Sequence, residues 1–346
     1  MARVAFRRLY LKKRFPLAIS RGVIEGAENL FVSVTAGGLT GWGEVAPGPS
    51  EGAASPAEAE AMLRDFCAGG IEADAIHDAW GRARAAGVAP CALAGLDMAL
   101  WDLKAKQAGM PLHRLLGLAR RGVPTSLTVG INPPEVVRER VPLLLAQGAR
   151  ALKIKLGSPG GIEADKAMYA AVLEATGEAD VVLRVDANGG WSLDDARHMM
   201  RWLADRRAEY VEQPLVEGAE DQLPHLFRDR PLPIFVDESC RLSGDIPGFA
   251  DRVDGVNLKL MKCGGITEAL RIVATARAHG LGTMIGCMGE SAVSIAAGAS
   301  IGALFDYIDL DSHLNLDPDP ADGAPLVAGV TLPENRPGHG GQLRDA

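Results

Sequence analysis

Charged side chains recur in this 346-residue chain at the ends of short apolar runs, in the order Lys153 and Lys155, Asp186, Glu212, Asp237, Lys259, then Asp309 and Asp311. Three carboxylates brought together repel one another unless some protonate or a cation sits among them. With Asp186, Glu212 and Asp237 as donors and no His or Cys in register, the set is all oxygen and favours a hard ion; Mg²⁺ is the expectation. A carboxylate substrate on that ion would have its α-proton acidified, because the metal stabilises the enediolate left behind. Lys155 and Lys259 are the candidate bases. An ordinary lysine, with a pKa of about 10.4, is neutral in only about one molecule in 2,500 at pH 7, so a depressed pKa is expected of the base. Lys153, the metal and burial would each push in that direction.

The runs that carry these residues alternate. Lys153 and Lys155 interleave with Leu152, Ile154 and Leu156, Asn257 and Lys259 with Val256, Leu258 and Leu260, and Asp309 and Asp311 with Ile308 and Leu310. Successive side chains of a strand point to opposite faces, so the charges share one face and the apolar residues the other. The steps from Lys155 to Asp186, Glu212, Asp237 and Lys259 are 31, 26, 25 and 22 residues, each room for one strand, one helix and two loops. Helical periodicity fills the gaps at 163–175, 192–205 and 266–279, with Ser192 and Asp195 as a cap and Gly280 as a stop. A first strand at 126–130 and a seventh at 282–286 complete a (β/α)8-type barrel, whose catalytic groups come from the C-terminal strand ends. Lys155 on strand two and Lys259 on strand six then face each other across the axis. Lys262 falls past the strand end, so Lys259 is preferred and Lys262 is expected to be dispensable.

Length leaves room for a second unit. Residues 1–117 read as an α+β capping domain, with strands at 4–13 and 30–35, a turn at Gly37, Gly38 and Gly41, and helices at 56–67 and 91–107. Residues 118–316 hold the barrel, and 317–346, rich in Pro and Gly, are expected to return to the cap. No apolar stretch approaches the roughly 20 residues of a membrane span, and the basic N-terminus is not followed by an apolar signal region. Five scattered cysteines suit reduced thiols in the cytoplasm, and a net charge of −8 argues against nucleic acid. A small-molecule substrate is the expected partner; homo-oligomerisation is left open.

The runs LKIKL, VDANGGW, VEQPL, VDES and NLKLMKCGG, with ALAGLDMALWDLKAKQAGMPLHRLLG in the cap, resemble the muconate lactonizing subgroup of the enolase superfamily over essentially the whole chain. The paired Asp309 and Asp311, GCMGES at 286–291 and AISRG at 18–22 resemble the dipeptide epimerases within it, the L-Ala-D/L-Glu type of murein peptide metabolism above all. The resemblance implies Mg²⁺ on Asp186, Glu212 and Asp237, acid/base lysines at 155 and 259, and a 1,1-proton transfer that inverts the α-carbon of a dipeptide's C-terminal residue. It also implies that Asp309 and Asp311 clamp the α-ammonium, that Lys153 works on the metal or carboxylate side, and that Arg21 meets an acidic C-terminal side chain. Gly289 stands where many relatives carry a larger residue and is expected to widen the pocket. The neighbouring chemistries of N-succinylamino acid racemase, o-succinylbenzoate synthase and cycloisomerase leave the two aspartates unexplained. A barrel retained only for binding leaves the intact bases and ligands unexplained.

Overall fold

The computed structural model describes residues 2–344. Strands β1 (Arg3–Ile19), β2 (Gly22–Ala36) and β3 (Leu39–Val45) form an antiparallel meander. β1 and β2 pair from Arg3–Thr35 to Ile19–Gly22, well beyond the expected spans, with a register shift between Lys12 and Leu17. In the distal half of β1 the alternation continues, with Leu9, Leu11, Lys13, Phe15 and Leu17 turned inward and Tyr10, Lys12, Arg14 and Pro16 exposed, whereas the start of β2, Gly22 to Glu25, is exposed throughout. Gly37 and Gly38 make the β2–β3 turn at positive φ, but Gly41 lies within β3. It and Gly43 are needed for a different reason: a Cβ there would collide with the carbonyls of Ala99 and Gly95. β3 thus lies directly on a helix of the cap.

The cap helices are α1 (Pro56–Cys67), α2 (Ile76–Ala85) and α3 (Pro90–Gln107). α3 is buried on nearly every side and correspondingly apolar all round, whereas α2 buries one face, Ile76, Ala79, Trp80 and Ala83, at three- and four-residue steps. A short α4 (Leu112–Leu115) leads into the barrel.

Eight parallel strands follow: β4 (Ser126–Val129), β5 (Ala151–Lys155), β6 (Val182–Asp186), β7 (Ala208–Glu212), β8 (Ile234–Val236), β9 (Gly255–Lys259), β10 (Gly282–Gly286) and β11 (Tyr307–Ile308), each hydrogen-bonded to the next. Between them lie α5 (Pro134–Ala146), α6 (Ile162–Thr176), α7 (Leu193–Ala204), α8 (Leu223–Phe227), α9 (Leu260–Cys263), α10 (Ile266–Ala278) and α11 (Ala292–Ser300). Ser192 caps α7 by accepting from the Asp195 amide, as its sequence suggests. The seam between β4 and β11 is closed by a parallel bridge, Thr125 to Ile308, and by the Leu310 and Thr128 amides, which donate to the Thr125 hydroxyl and the Asp311 carboxylate.

Strand parity sorts the barrel. Leu152, Ile154, Leu183, Val185, Val256 and Leu258 join the core beneath the helices. On the inner face, Tyr210, Phe235, Met284 and Tyr307 pack together, two residues before Glu212, Asp237, Gly286 and Asp309 respectively. This aromatic floor supports the charged layer above it.

Residues of the last segment contact elements of both the cap and the barrel. Leu112 donates to Gly338, His339 accepts and donates among Trp42, Asp102 and Gly341, and Leu316, Ala321 and Leu343 pack with Leu11, Phe31 and Val293. Cap and barrel are also joined through Asp97, which accepts from the Thr267 hydroxyl and amide, and through Trp80, which donates to the Gly264 carbonyl. Among the described residues no helix is long and apolar enough to cross a membrane.

Candidate active site

Asp186 and Glu212 are the last residues of β6 and β7, and Asp237 follows β8 by one. All three are buried, and one oxygen of each lies within 4.8 Å of the others. Neighbouring amides hold them in place. Asp186 accepts from the Asn188 backbone at 2.8 Å and its side chain at 3.2 Å, Glu212 from Asn257 Nδ2 at 2.7 Å, and the Asp237 amide donates to Gln213 Oε1 at 2.8 Å. Asn188 and Gln213 adopt positive φ, 42° and 38°, to place these groups. Glu212 Oε2 and Asp237 Oδ2 are buried and meet only lysine ammoniums, those of Lys153 and Lys259. Three buried carboxylates converging on one point suit a hard divalent cation.

Lysines surround this cluster. Lys155 Nζ lies 2.5 Å from Asp186, Lys259 Nζ 2.6 Å from Asp237, and Lys153 Nζ 2.5 Å from Asp309, 2.8 Å from Glu212 and 3.3 Å from Asp186. β5 and β9 are four strands apart in an eight-stranded barrel, so Lys155 and Lys259 approach from opposite sides. At Lys259 burial works to lower the pKa, but among the protein's own groups the Asp237 and Glu238 carboxylates outweigh burial and hold it above the ordinary value. Lys153 is likewise lifted well above its usual range, by Asp309, Glu212 and Asp186 against burial. Among the carboxylates, burial and the Asp186 charge push Glu212 up to about 8, whereas Lys155 and Lys153 overcome burial and bring Asp186 down to about 2.

Lys262 is not the idle residue its place past the strand end implied. Its ammonium donates to the Asp237 carbonyl and Oδ1 and to the carbonyls of Cys240 and Asn257. Lys259 occupies the other oxygen of Asp237 and faces a cavity.

Asp309 and Asp311 follow β11 at the seam. Asp309 Oδ1 is buried without a partner, and Asp311 accepts from the Thr128 amide at 2.7 Å. Burial and the Asp309 charge push Asp311 up to about 6. Both line a cavity of about 400 Å³ that runs outward through the seam between Phe15, Leu127, Val129 and Leu144. A second cavity, about 460 Å³, lies beneath the cap hairpin, walled by Leu11, Leu17, Ile19, Val23 and Ile24 and reaching Lys259. Arg21 borders this second cavity but is engaged, with Nη2 2.8 Å from Glu238 and Nη1 3.0 Å from the Asn188 carbonyl. Sequence reasoning did not reach Glu238, Gln213 or the Asn257–Glu212 bond. Asn257 alternates with Lys259 on one strand face, which was the available signal.

The chain is similar to known proteins along its whole length. Residues 2–117 match the mandelate racemase / muconate lactonizing enzyme N-terminal domain, and residues 136–346 the enolase C-terminal domain-like family. It is 74% identical to a hydrophobic dipeptide epimerase of Roseobacter litoralis, covering 99% of this chain and 100% of that one. A hydrophobic dipeptide epimerase of a Flavobacteria bacterium is 60% identical, with 98% of each chain covered. Among solved structures, a dipeptide epimerase of Enterococcus faecalis complexed with Mg and L-Leu-L-Tyr superposes with a TM-score of 0.89 at 32% identity, over 98% of both chains. By these matches and by its barrel and cap, the chain belongs to the mandelate racemase/muconate lactonizing enzyme family of the enolase superfamily.

Proposed function

We propose that this protein is a magnesium-dependent dipeptide epimerase that inverts the α-carbon of the C-terminal residue. The observation that carries the reading is the placement of two lysines, Lys155 and Lys259, on opposite sides of one three-carboxylate cluster. Asp186, Glu212 and Asp237 would hold the ion, which supplies positive charge to stabilise the substrate carboxylate as the α-proton leaves. One lysine accepts the proton from one face and the other returns a proton to the opposite face, so inversion needs both. Lys153, wedged among Asp309, Glu212 and Asp186, keeps the carboxylates in register on the side of β5. Asp309 and Asp311 receive the free α-ammonium, with the unpartnered Asp309 Oδ1 ready to accept it. In this arrangement 118–316 form the reaction chamber, and 1–117 with 317–346 exclude water from it. The five cysteines are all free, in keeping with a cytoplasmic enzyme.

For the substrate, apolar dipeptides replace the acidic one expected from the sequence. Apart from the charged groups at the barrel mouth, aliphatic side chains such as Leu17, Leu127, Val129 and Leu144 in one cavity and Leu11, Ile19, Val23 and Ile24 in the other form much of the walls, and Glu238 already holds the Arg21 guanidinium that would have met a glutamate side chain. The names of the two relatives at 74% and 60% identity support the same choice. The test is α-proton exchange in D₂O with Mg²⁺, followed by NMR, on L-Leu-L-Leu, L-Ala-L-Glu and N-acetyl-L-Leu. Deuterium should enter the C-terminal α-position of L-Leu-L-Leu fastest, with both epimers appearing. Asp309→Asn should lower kcat/KM on the dipeptide by about 30-fold or more, as expected when one partner of a desolvated charge pair is lost. Equal turnover of N-acetyl-L-Leu would instead favour an N-acylamino acid racemase.

A further inference from the structure

We infer that Lys13, on the cap, binds the carbonyl oxygen of the substrate's peptide bond, a role that rests on the dipeptide reading above. Lys13 lies where β1 leaves its register with β2. Its backbone is fixed from the far end of the chain: Lys13 bridges to Leu316, the Lys12 carbonyl accepts from Asp317, and Asn315 bonds both the amide and carbonyl of Phe15. The side chain is only 7% exposed. Yet among the described residues its ammonium has neither a hydrogen-bond nor an ion-pair partner, and Cys287, Asp311 and Glu290 act on it only through space. Glu290 is committed elsewhere, to the Met288 amide and the Ser294 hydroxyl. A buried charge without a partner is costly, so its partner is to be sought in what enters the cavity.

The position names that partner. Lys13 lines both cavities, together with Leu17, Lys155, Cys287 and Met288, and so stands where they meet. A dipeptide with its carboxylate at the acidic cluster and its ammonium at Asp309 and Asp311 must thread its peptide link through that junction. The acceptor it presents there is the carbonyl oxygen. Of the two lysines at the junction, Lys155 already lies 2.5 Å from Asp186, which leaves Lys13 as the donor. Gly289 makes the room: a Cβ built on it would have one neighbour within 4 Å, the Lys13 ammonium at 3.7 Å. An alanine fits there, whereas a longer side chain would take the ammonium's place.

The experiment compares L-Ala-L-Leu with its thioamide, whose sulfur is a weaker acceptor, in wild type, Lys13→Met, Lys13→Arg, Gly289→Ala and Gly289→Leu, by α-proton exchange in D₂O with Mg²⁺ and by thermal melting. Lys13→Met should lose about 10- to 100-fold in kcat/KM on the amide, the range for a hydrogen bond from a charged donor. Wild type should favour the amide over the thioamide, and Lys13→Met should no longer do so. Lys13→Arg should keep part of the preference. Gly289→Leu should lose it and Gly289→Ala retain it. Melting of Lys13→Met should be no lower than wild type, since an unpartnered ammonium has been removed. An amide-to-thioamide ratio in Lys13→Met equal to that of wild type overturns the proposal, as does unchanged kcat/KM. Wild-type enzyme inert towards both dipeptides would overturn the dipeptide reading itself, and this role with it.

Discussion

Replacing Lys262 with methionine should lower thermal stability while leaving proton transfer in place, and replacing Lys259 should do the reverse. Both ammoniums meet Asp237, one at each oxygen, at 2.5 Å and 2.6 Å. Lys262 also serves the Asp237, Cys240 and Asn257 carbonyls and is only 2% exposed. Breaking a buried charge pair by removing one partner costs about 3–5 kcal/mol, and carbonyls stranded without a donor add to that without summing fully. Unfolding entropy of about 2.1 cal/mol/K per residue gives ~0.7 kcal/mol/K for a chain of 346 residues, so a loss of ~4 kcal/mol lowers Tm by about 5 °C. After Lys259→Met, Asp237 keeps Lys262, and the lost contact faces a cavity rather than a packed wall. Its melting should move by less than half as much. In D₂O at saturating Mg²⁺, Lys259→Met should stop epimerising yet still exchange the α-proton of the one epimer that faces Lys155. Lys262→Met should exchange both epimers. Calorimetry and NMR read the two effects independently. A Lys262→Met enzyme with wild-type melting and no exchange would make Lys262 the base and refute the assignment.

Three further outcomes follow from the same geometry. Chelation should abolish exchange and Mg²⁺ restore it, and Asp186→Asn, Glu212→Gln or Asp237→Asn should each cost at least about 100-fold in kcat, the scale of a lost electrostatic stabiliser; full activity in chelator would contradict the metal site. Burial pushes the Asp97 carboxyl from 3.8 up to about 7 against the Thr267 donors, so the folded protein holds that proton more tightly than the unfolded chain. This contribution is full below about pH 4 and is lost as pH rises through about 7; relative to wild type, Asp97→Asn should therefore flatten the fall of Tm across that window, and parallel curves would count against it. Glu238→Ala frees Arg21 from its ion pair and should raise kcat/KM on L-Ala-L-Glu relative to L-Leu-L-Leu, on the order of 10-fold for a new charge-assisted bond; an unchanged ratio would remove Arg21 from substrate selection.

Much of the site was legible before any coordinates, because strand parity is a local property. Once Lys155, Asp186, Glu212 and Lys259 alternate with branched apolar residues, their common face follows from the pleat, and their spacing admits few architectures other than a βα repeat. The Ser192 cap of α7 and the Gly280 stop after α10, at positive φ, are local in the same sense. The β1–β2 hairpin runs past the stretch read from sequence because a lysine, Lys13, takes an inward position and Pro16 an outward one, which interrupts the apolar period although the strand goes on. Other features depend on distances between residues far apart in sequence, and only the tertiary structure decided them. Lys262 is tied to Asp237 across 25 residues, Arg21 to Glu238 across 217, and Lys13 is placed at the cavity junction by contacts with 315–317. Electrostatics is another such case: the carboxylates that surround Lys153 and Lys259 come from other strands, and only folding brings them there. Residue type sets which groups can ionise, but burial and through-space charge set how, and both are properties of the packed chain.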